Sequence, residues 1–175
     1  KVALQVNSSS ARMDADVVPC FSYREYFSNG STREGTKVFP TSGDPFENYP
    51  AQQIARGAAK DRATNGRYKR AARLLKRIEN DMAAKDVHPE VPSYFVECLA
   101  YNCPNSTFTN YSWTATIKAM LVHIWSELEN GDPPAGRWME ANGVKYLFHP
   151  SQKWSLDEGR DFARAAWNHL ELADA

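Results

Sequence analysis

The chain has 175 residues, 42% of them hydrophobic, with 21 lysines and arginines against 21 aspartates and glutamates. That is enough apolar material for a core, and a formal charge of zero does not indicate a general affinity for nucleic acid or an acidic membrane. No run of 18 apolar residues and no charged-then-apolar leader occurs, so neither a membrane span nor a signal peptide is predicted.

"KVALQVN" (Lys1–Asn7) and "RMDADVVPCF" (Arg12–Phe21) alternate apolar and polar residues around "SSS", a pattern that suits a hairpin. Asp14 and Asp16 are two apart, so in a strand they project to one face, while Val17 and the residues after it are expected to pack inward. Alternation that begins at the first residue reads as a chain cut inside a domain. A shorter run, "TKVFP", follows the loop "FSNGSTREG", and after "TSGDPFENYP" helical spacing takes over, which puts a domain boundary near residue 46.

The first helix is expected just after Tyr49-Pro50, running to about Ala63, because proline suits a first turn. In "NGRYKRAARLLKRIENDM", Tyr68, Ala71, Leu75, Ile78 and Met82 form an apolar stripe, and Lys69, Arg73 and Lys76 form a basic one. A third helix opens at "PSYFVECLAYN", with Ser93 and Tyr94 just after Pro92. A fourth, Tyr111 to Glu129, is expected to bury Trp113, Ile117, Leu121, Ile124 and Leu128 before "GDPPAGRW" breaks the pattern. "ANGVKYLFHPSQKW" predicts a turn with a brief extended segment, and Ser155 to Glu158 form a capping box that starts a last helix ending near Leu172.

Several of these features have two readings from the residues alone. Asp14 and Asp16 could hold a metal, or be solvated acids that discourage pairing at a strand edge. A basic stripe can meet phosphate or simply face water. Ser93 stands where a helix start favours phosphate, and Tyr94 either stacks on a base or packs in the core against Phe95 or Trp113. Cys20, Cys98 and Cys103 lack ligand spacing for zinc and read as reduced thiols in a cytoplasmic protein. His88, His123 and His149 form no ligand spacing either. Arg164 and His169 give an Arg-x4-His that resembles the RNase motif of HEPN domains, but a strand-rich first 45 residues do not belong in that helical fold.

"ADVVPCF" resembles the third-carboxylate strand of template-independent nucleotidyltransferases of the polymerase-beta type, the group of oligoadenylate synthetases, cyclic GMP-AMP synthase and their bacterial antiphage counterparts. "NGRYKRAARLLKRIEN" resembles that family's basic helix, "VPSYFVECLAYN" is similar to the helix that follows it, and "NGVKYLFHPSQKW" resembles a C-terminal segment of bacterial members. The resemblance implies an α+β fold: a short antiparallel sheet, the remnant of a catalytic palm, in residues 1–45, and a mostly helical nucleotide-binding lobe in 46–175.

In that family an Asp-x-Asp pair behind a Gly-Ser motif joins a third carboxylate to hold two magnesium ions, which activate the attacking hydroxyl and neutralise the transferring phosphate. Asp14 and Asp16 cannot be that pair, since only Ala11, Arg12 and Met13 separate them from "SSS". Asp16 is then the third carboxylate, catalytic and metal-binding, with the first two expected in residues before Lys1, and Asp14 has no assigned duty. The resemblance also implies that Lys69 and Arg73, with Lys76 third, contact the donor triphosphate, that Ser93 bonds its phosphates and that Tyr94 stacks on a base.

The implied activity is metal-dependent transfer of a nucleotidyl group from a nucleoside triphosphate to a hydroxyl, giving a cyclic or linear oligonucleotide second messenger for a downstream effector or regulator. These residues alone are expected to be inactive, with one of three metal carboxylates. The alternative is a non-catalytic helical module that binds a nucleotide or a protein.

Overall fold

The computed structural model describes residues 3–8, 15–131 and 137–174. The chain is α+β and divides into two compact units, Lys1–Ala51 and Gln52–Ala175. In the first, β1 (Leu4–Val6) pairs antiparallel with β2 (Ala15–Val17), with Gln5 opposite Asp16. A separate three-stranded antiparallel sheet has the order β3 (Phe21–Tyr26), β4 (Thr32–Val38), β5 (Phe46–Asn48).

The β3–β4 register puts opposite charges face to face, with Arg24 on Glu34 at 2.6 Å and Arg33 on Glu25 at 3.3 Å; Lys37 meets Glu47 of β5 at 2.7 Å. Such directly opposed pairs select one register over its neighbours. Gly35 sits where β4 meets the end of β5: a Cβ there would lie 2.7 Å from the Asn48 carbonyl oxygen and 2.9 Å from the Tyr49 ring.

Three strand expectations are corrected. The predicted run Arg12–Phe21 is interrupted: β2 ends at Val17, Pro19 follows, and Phe21 opens β3. Four of the nine residues of the predicted loop "FSNGSTREG", Thr32 to Gly35, belong to β4, because a turn closed by the Gly30 amide on the Phe27 carbonyl (2.9 Å) needs only a few residues. Val17 and Val18 do not pack inward; they are 51% and 42% exposed, since β2 belongs to a two-stranded ribbon that has no core of its own.

The second unit is helical: α1 (Pro50–Ala63), α2 (Arg67–Ala84), α3 (Ser93–Asn102), α4 (Trp113–Leu128) and α5 (Leu156–His169). Pro50 occupies the first position of α1, and α5 starts with the full capping box: the Glu158 amide donates to Ser155 Oγ and the Ser155 amide to Glu158 Oε2. Leu75, Phe95, Leu99, Ile124, Leu128 and Phe162 are fully buried in one core. Gly159 lets α5 approach this core, because its Cβ would meet Leu128, Phe95 and Leu99 at 3.2–3.3 Å. No described helix is long and apolar enough to cross a membrane.

Trp113 departs from its expected burial. It is 37% exposed and carries the Arg67 guanidinium 4.5 Å above its ring, as the first residue of α4 lies outside the packed stripe.

Candidate functional site

The start of α2 is set by its own flanking residues. Asn65 (φ 53°) and Gly66 (φ 75°) turn the chain left-handed, where glycine costs least. Thr64 Oγ1 then accepts from the Tyr68 amide at 3.1 Å, and Asp61 Oδ1 from the Lys69 amide at 3.0 Å. Two of the amides that a helix start leaves open are thereby satisfied, and the first turn is held in place.

From that start, Lys69, Arg73 and Lys76 fall at intervals of four and three and line one cleft of about 250 Å³. Gln53 of α1 and Glu97 of α3 line it too. Lys69 and Arg73 are exposed, and among the described residues neither pairs with a carboxylate. Lys76 differs: its ammonium lies 2.6 Å from Glu97 Oε2, while Gln53 Nε2 donates to Glu97 Oε1 at 3.1 Å. Tyr68 forms part of the wall, and its buried hydroxyl has no partner among the described residues. Burial pushes the Tyr68 phenol up, so it is a neutral group throughout the physiological range.

Ser93 opens α3 and is exposed, one turn before Glu97 and so on the same helix face. Tyr94, the next residue, has different neighbours. Its hydroxyl donates to Glu140 Oε2 at 3.2 Å and accepts from Asn142 Nδ2 at 3.4 Å, and its ring stands edge-on to Trp154 at 6.2 Å. The alternative partner Trp113 is not involved. Buried Glu140 also accepts from Gln152 at 2.6 Å and from the Asn142 amide. One turn on, Cys98 Sγ accepts from the Ala141 amide at 3.3 Å. Burial raises both the Tyr94 phenol and the Cys98 thiol, the latter to about 12, which keeps Tyr94 a donor and Cys98 a neutral thiol. Together these bonds fasten residues 139–152 to α3 and fix the Tyr94 ring in a half-buried position.

Asp16 lies on β2, exposed, and Asp14 falls outside the described residues. Among the described residues no three His, Cys, Asp or Glu side chains come together as a metal site. Arg164 and His169 share α5 but have different partners: Arg164 reaches Asp161 at 3.1 Å, and His169 Nε2 lies 2.8 Å from Asp81 Oδ2 on α2. That division does not assemble one reaction centre. His123 stacks on Trp138 and is pushed down by burial, His149 contacts Ser151, and His88 contacts the Pro89 carbonyl.

Sequence reasoning missed Gln53, Glu97, Glu140 and Gln152. Glu97 carried a signal, as the one charged residue within α3, whose other members are apolar or neutral. Glu140 and Gln152 lie in irregular chain where periodicity carries no information.

The model of the cGAS/DncV-like nucleotidyltransferase C-terminal helical domain matches residues 55–171. The cyclic dipyrimidine nucleotide synthase CdnE of Cecembia lonarensis is 33% identical over 172 residues, 97% of this chain and 58% of that protein. The CdnE cyclic dinucleotide synthase of Elizabethkingia meningoseptica, solved with GTP and Apcpp, has a TM-score of 0.86 at 29% identity, covering 96% of this chain and 62% of that one. The CdnE c-UMP-AMP synthase of Rhodothermus marinus, solved with Apcpp and Upnpp, has a TM-score of 0.81 at 30% identity, covering 98% and 58%. The chain therefore spans less than two thirds of the length of each of these relatives.

Proposed function

The chain belongs to the cGAS/DncV-like nucleotidyltransferases, matching their C-terminal helical domain, and from that premise we propose that its helical unit binds the donor nucleoside triphosphate of a second-messenger synthase. The observation that carries this reading is the pair of cations, Lys69 and Arg73, directed at one cleft without acidic partners among the described residues. Cations in that state are free to meet phosphate oxygens, Lys69 as a point charge and Arg73 through its fork of donors. Ser93, at the neighbouring helix start, adds a hydroxyl and open amides. The fixed, half-buried ring of Tyr94 stacks on a base.

The reaction is transfer of a nucleotidyl group to a hydroxyl with release of pyrophosphate, giving a cyclic or linear oligonucleotide that a downstream effector reads in antiviral defence. Asp16 fits one magnesium ligand: an exposed carboxylate with no partner among the described residues. Among the described residues no group of three His, Cys, Asp or Glu side chains stands ready to hold a metal ion. Magnesium, when bound, supplies charge neutralisation at the transferring phosphate. The helical unit holds and orients the donor.

Titration of the full-length protein with a non-hydrolysable ATP analogue tests the reading. Lys69→Met and Arg73→Met are each expected to weaken binding about tenfold, or ~1.4 kcal/mol. Unchanged affinity in both would contradict it. Nucleotide binding without any synthesis by the wild-type protein would favour a non-catalytic binding module, a reading supported by the single candidate metal carboxylate among the described residues.

A further inference from the structure

Gln53, Arg56 and Lys60 follow one another along α1 at steps of three and four, and so share one face of the helix. Gln53 bonds Glu97 at 3.1 Å and Lys60 bonds the Cys103 carbonyl at 2.8 Å, which ties both to α3 or to its C-terminal end. Arg56, between them, is exposed, and among the described residues its donors meet no carboxylate and no carbonyl. It is held by a different contact. The guanidinium lies against the Asn142–Gly143 turn, so closely that a Cβ at Gly143 would fall 2.8 Å from Nη1. Gly143 is also left-handed, at φ 65°, and its amide donates to the Glu140 carbonyl at 2.7 Å. The same turn holds Tyr94, whose hydroxyl donates to Glu140 Oε2 and accepts from Asn142 Nδ2. A guanidinium with open donors therefore stands beside the turn that fixes the Tyr94 ring.

We propose that Arg56 reads the base stacked on Tyr94, donating its paired N–H groups to a base carbonyl oxygen and so favouring uracil, cytosine or guanine over adenine. The inference rests on the helical unit being the donor site. A guanidinium only donates, so it recognises acceptors and is mismatched against another donor. Uracil, cytosine and guanine each carry a carbonyl oxygen on a base edge, whereas adenine has none and would turn its amino group towards the arginine. The seat against Gly143 limits the freedom that the side chain loses when it closes on the base. Arg56 is a specificity-determining residue and takes no part in the transfer step.

Non-hydrolysable UTP and ATP analogues, which share the triphosphate and differ in the base, are the probes, titrated into the full-length protein. The wild-type protein is expected to bind the UTP analogue at least about fivefold more tightly. Arg56→Met is expected to weaken the UTP analogue at least about fivefold and to leave the ATP analogue within about twofold, a change of preference that a merely structural role would not produce. Arg56→Lys keeps the charge and loses the fork of donors, so it is expected to lose the preference as well. Tyr94→Ala is expected to weaken both analogues, because every base has a face to stack.

Equal wild-type affinities, equal losses of the two analogues in Arg56→Met, or a preference kept in full by Arg56→Lys would each overturn the proposal. If Tyr94→Ala weakens both analogues and only the Arg56 results fail, the donor-site reading stands without this refinement. If Tyr94→Ala weakens neither, both fall.

Discussion

The strand unit and the helical unit differ in how far the described residues close off their apolar side chains. In the helical unit the large apolar side chains, Phe95, Leu99, Ile124 and Phe162 among them, are closed off from solvent. In the strand unit Leu4, Phe21 and Tyr26 are 61%, 69% and 74% exposed, and the register is marked by charges facing one another across the ladder. Exposed ion pairs contribute little, whereas a buried aromatic contributes through its whole surface. The contrast extends to the candidate site: the helical unit carries a core and a cleft together, while Asp16 lies exposed on a two-stranded ribbon among the described residues.

Paired truncations test this contrast most strongly. Phe95→Ala is expected to destabilise the helical unit by about 3–5 kcal/mol, through lost burial and the cavity left behind. Phe21→Ala, at a side chain already mostly in water, is expected to have a far smaller effect on chemical denaturation. Equal losses would erase the distinction between the units.

The next effect in size concerns Tyr94. Replacement by alanine is expected to cost about 1–3 kcal/mol of nucleotide affinity, with the ring gone. Replacement by phenylalanine keeps the ring and removes the bond to Glu140, so it is expected to lower stability by about 1 kcal/mol while largely preserving affinity. A Phe variant that binds as poorly as the Ala variant would show that the hydroxyl, and not the ring, matters.

Smaller per step is a pH effect. Burial raises the Cys98 and Cys103 thiols from 9.0 to about 12, so both remain protonated in the folded chain after the unfolded chain has begun to lose those protons. Stability from this source is complete below pH 9 and falls as the pH rises towards 12, by at most about 1.4 kcal/mol per pH unit for each thiol. Cys103→Ala is expected to flatten the alkaline limb of a stability–pH curve, and an unchanged slope would count against the buried-thiol account.

Much of the helical unit was legible in the sequence because its signals are local. Pro50 marked the start of α1, the Ser155–Glu158 box the start of α5, and the stripe Tyr68, Ala71, Leu75 and Met82 the buried face of α2. The basic stripe gave Lys69, Arg73 and Lys76 as neighbours, but not that Glu97, 21 positions beyond Lys76, neutralises one of them. Short strands were harder to see. Phe21–Tyr26 has alternation too, yet it abuts β2 with only Val18, Pro19 and Cys20 between, and the two runs merge by eye. The Glu140–Tyr94–Gln152 network was invisible, since its members meet across distances in sequence that no repeat period links.

The central claim is a division of labour, with donor binding in the helical unit and metal-dependent transfer requiring Asp16. Asp16→Asn in the full-length protein separates the two most directly, by measuring oligonucleotide synthesis with magnesium and triphosphate-analogue affinity without it. Synthesis is expected to fall by at least about a hundredfold while affinity stays within about twofold of wild type. Retained synthesis, or an affinity lost together with it, would contradict the account.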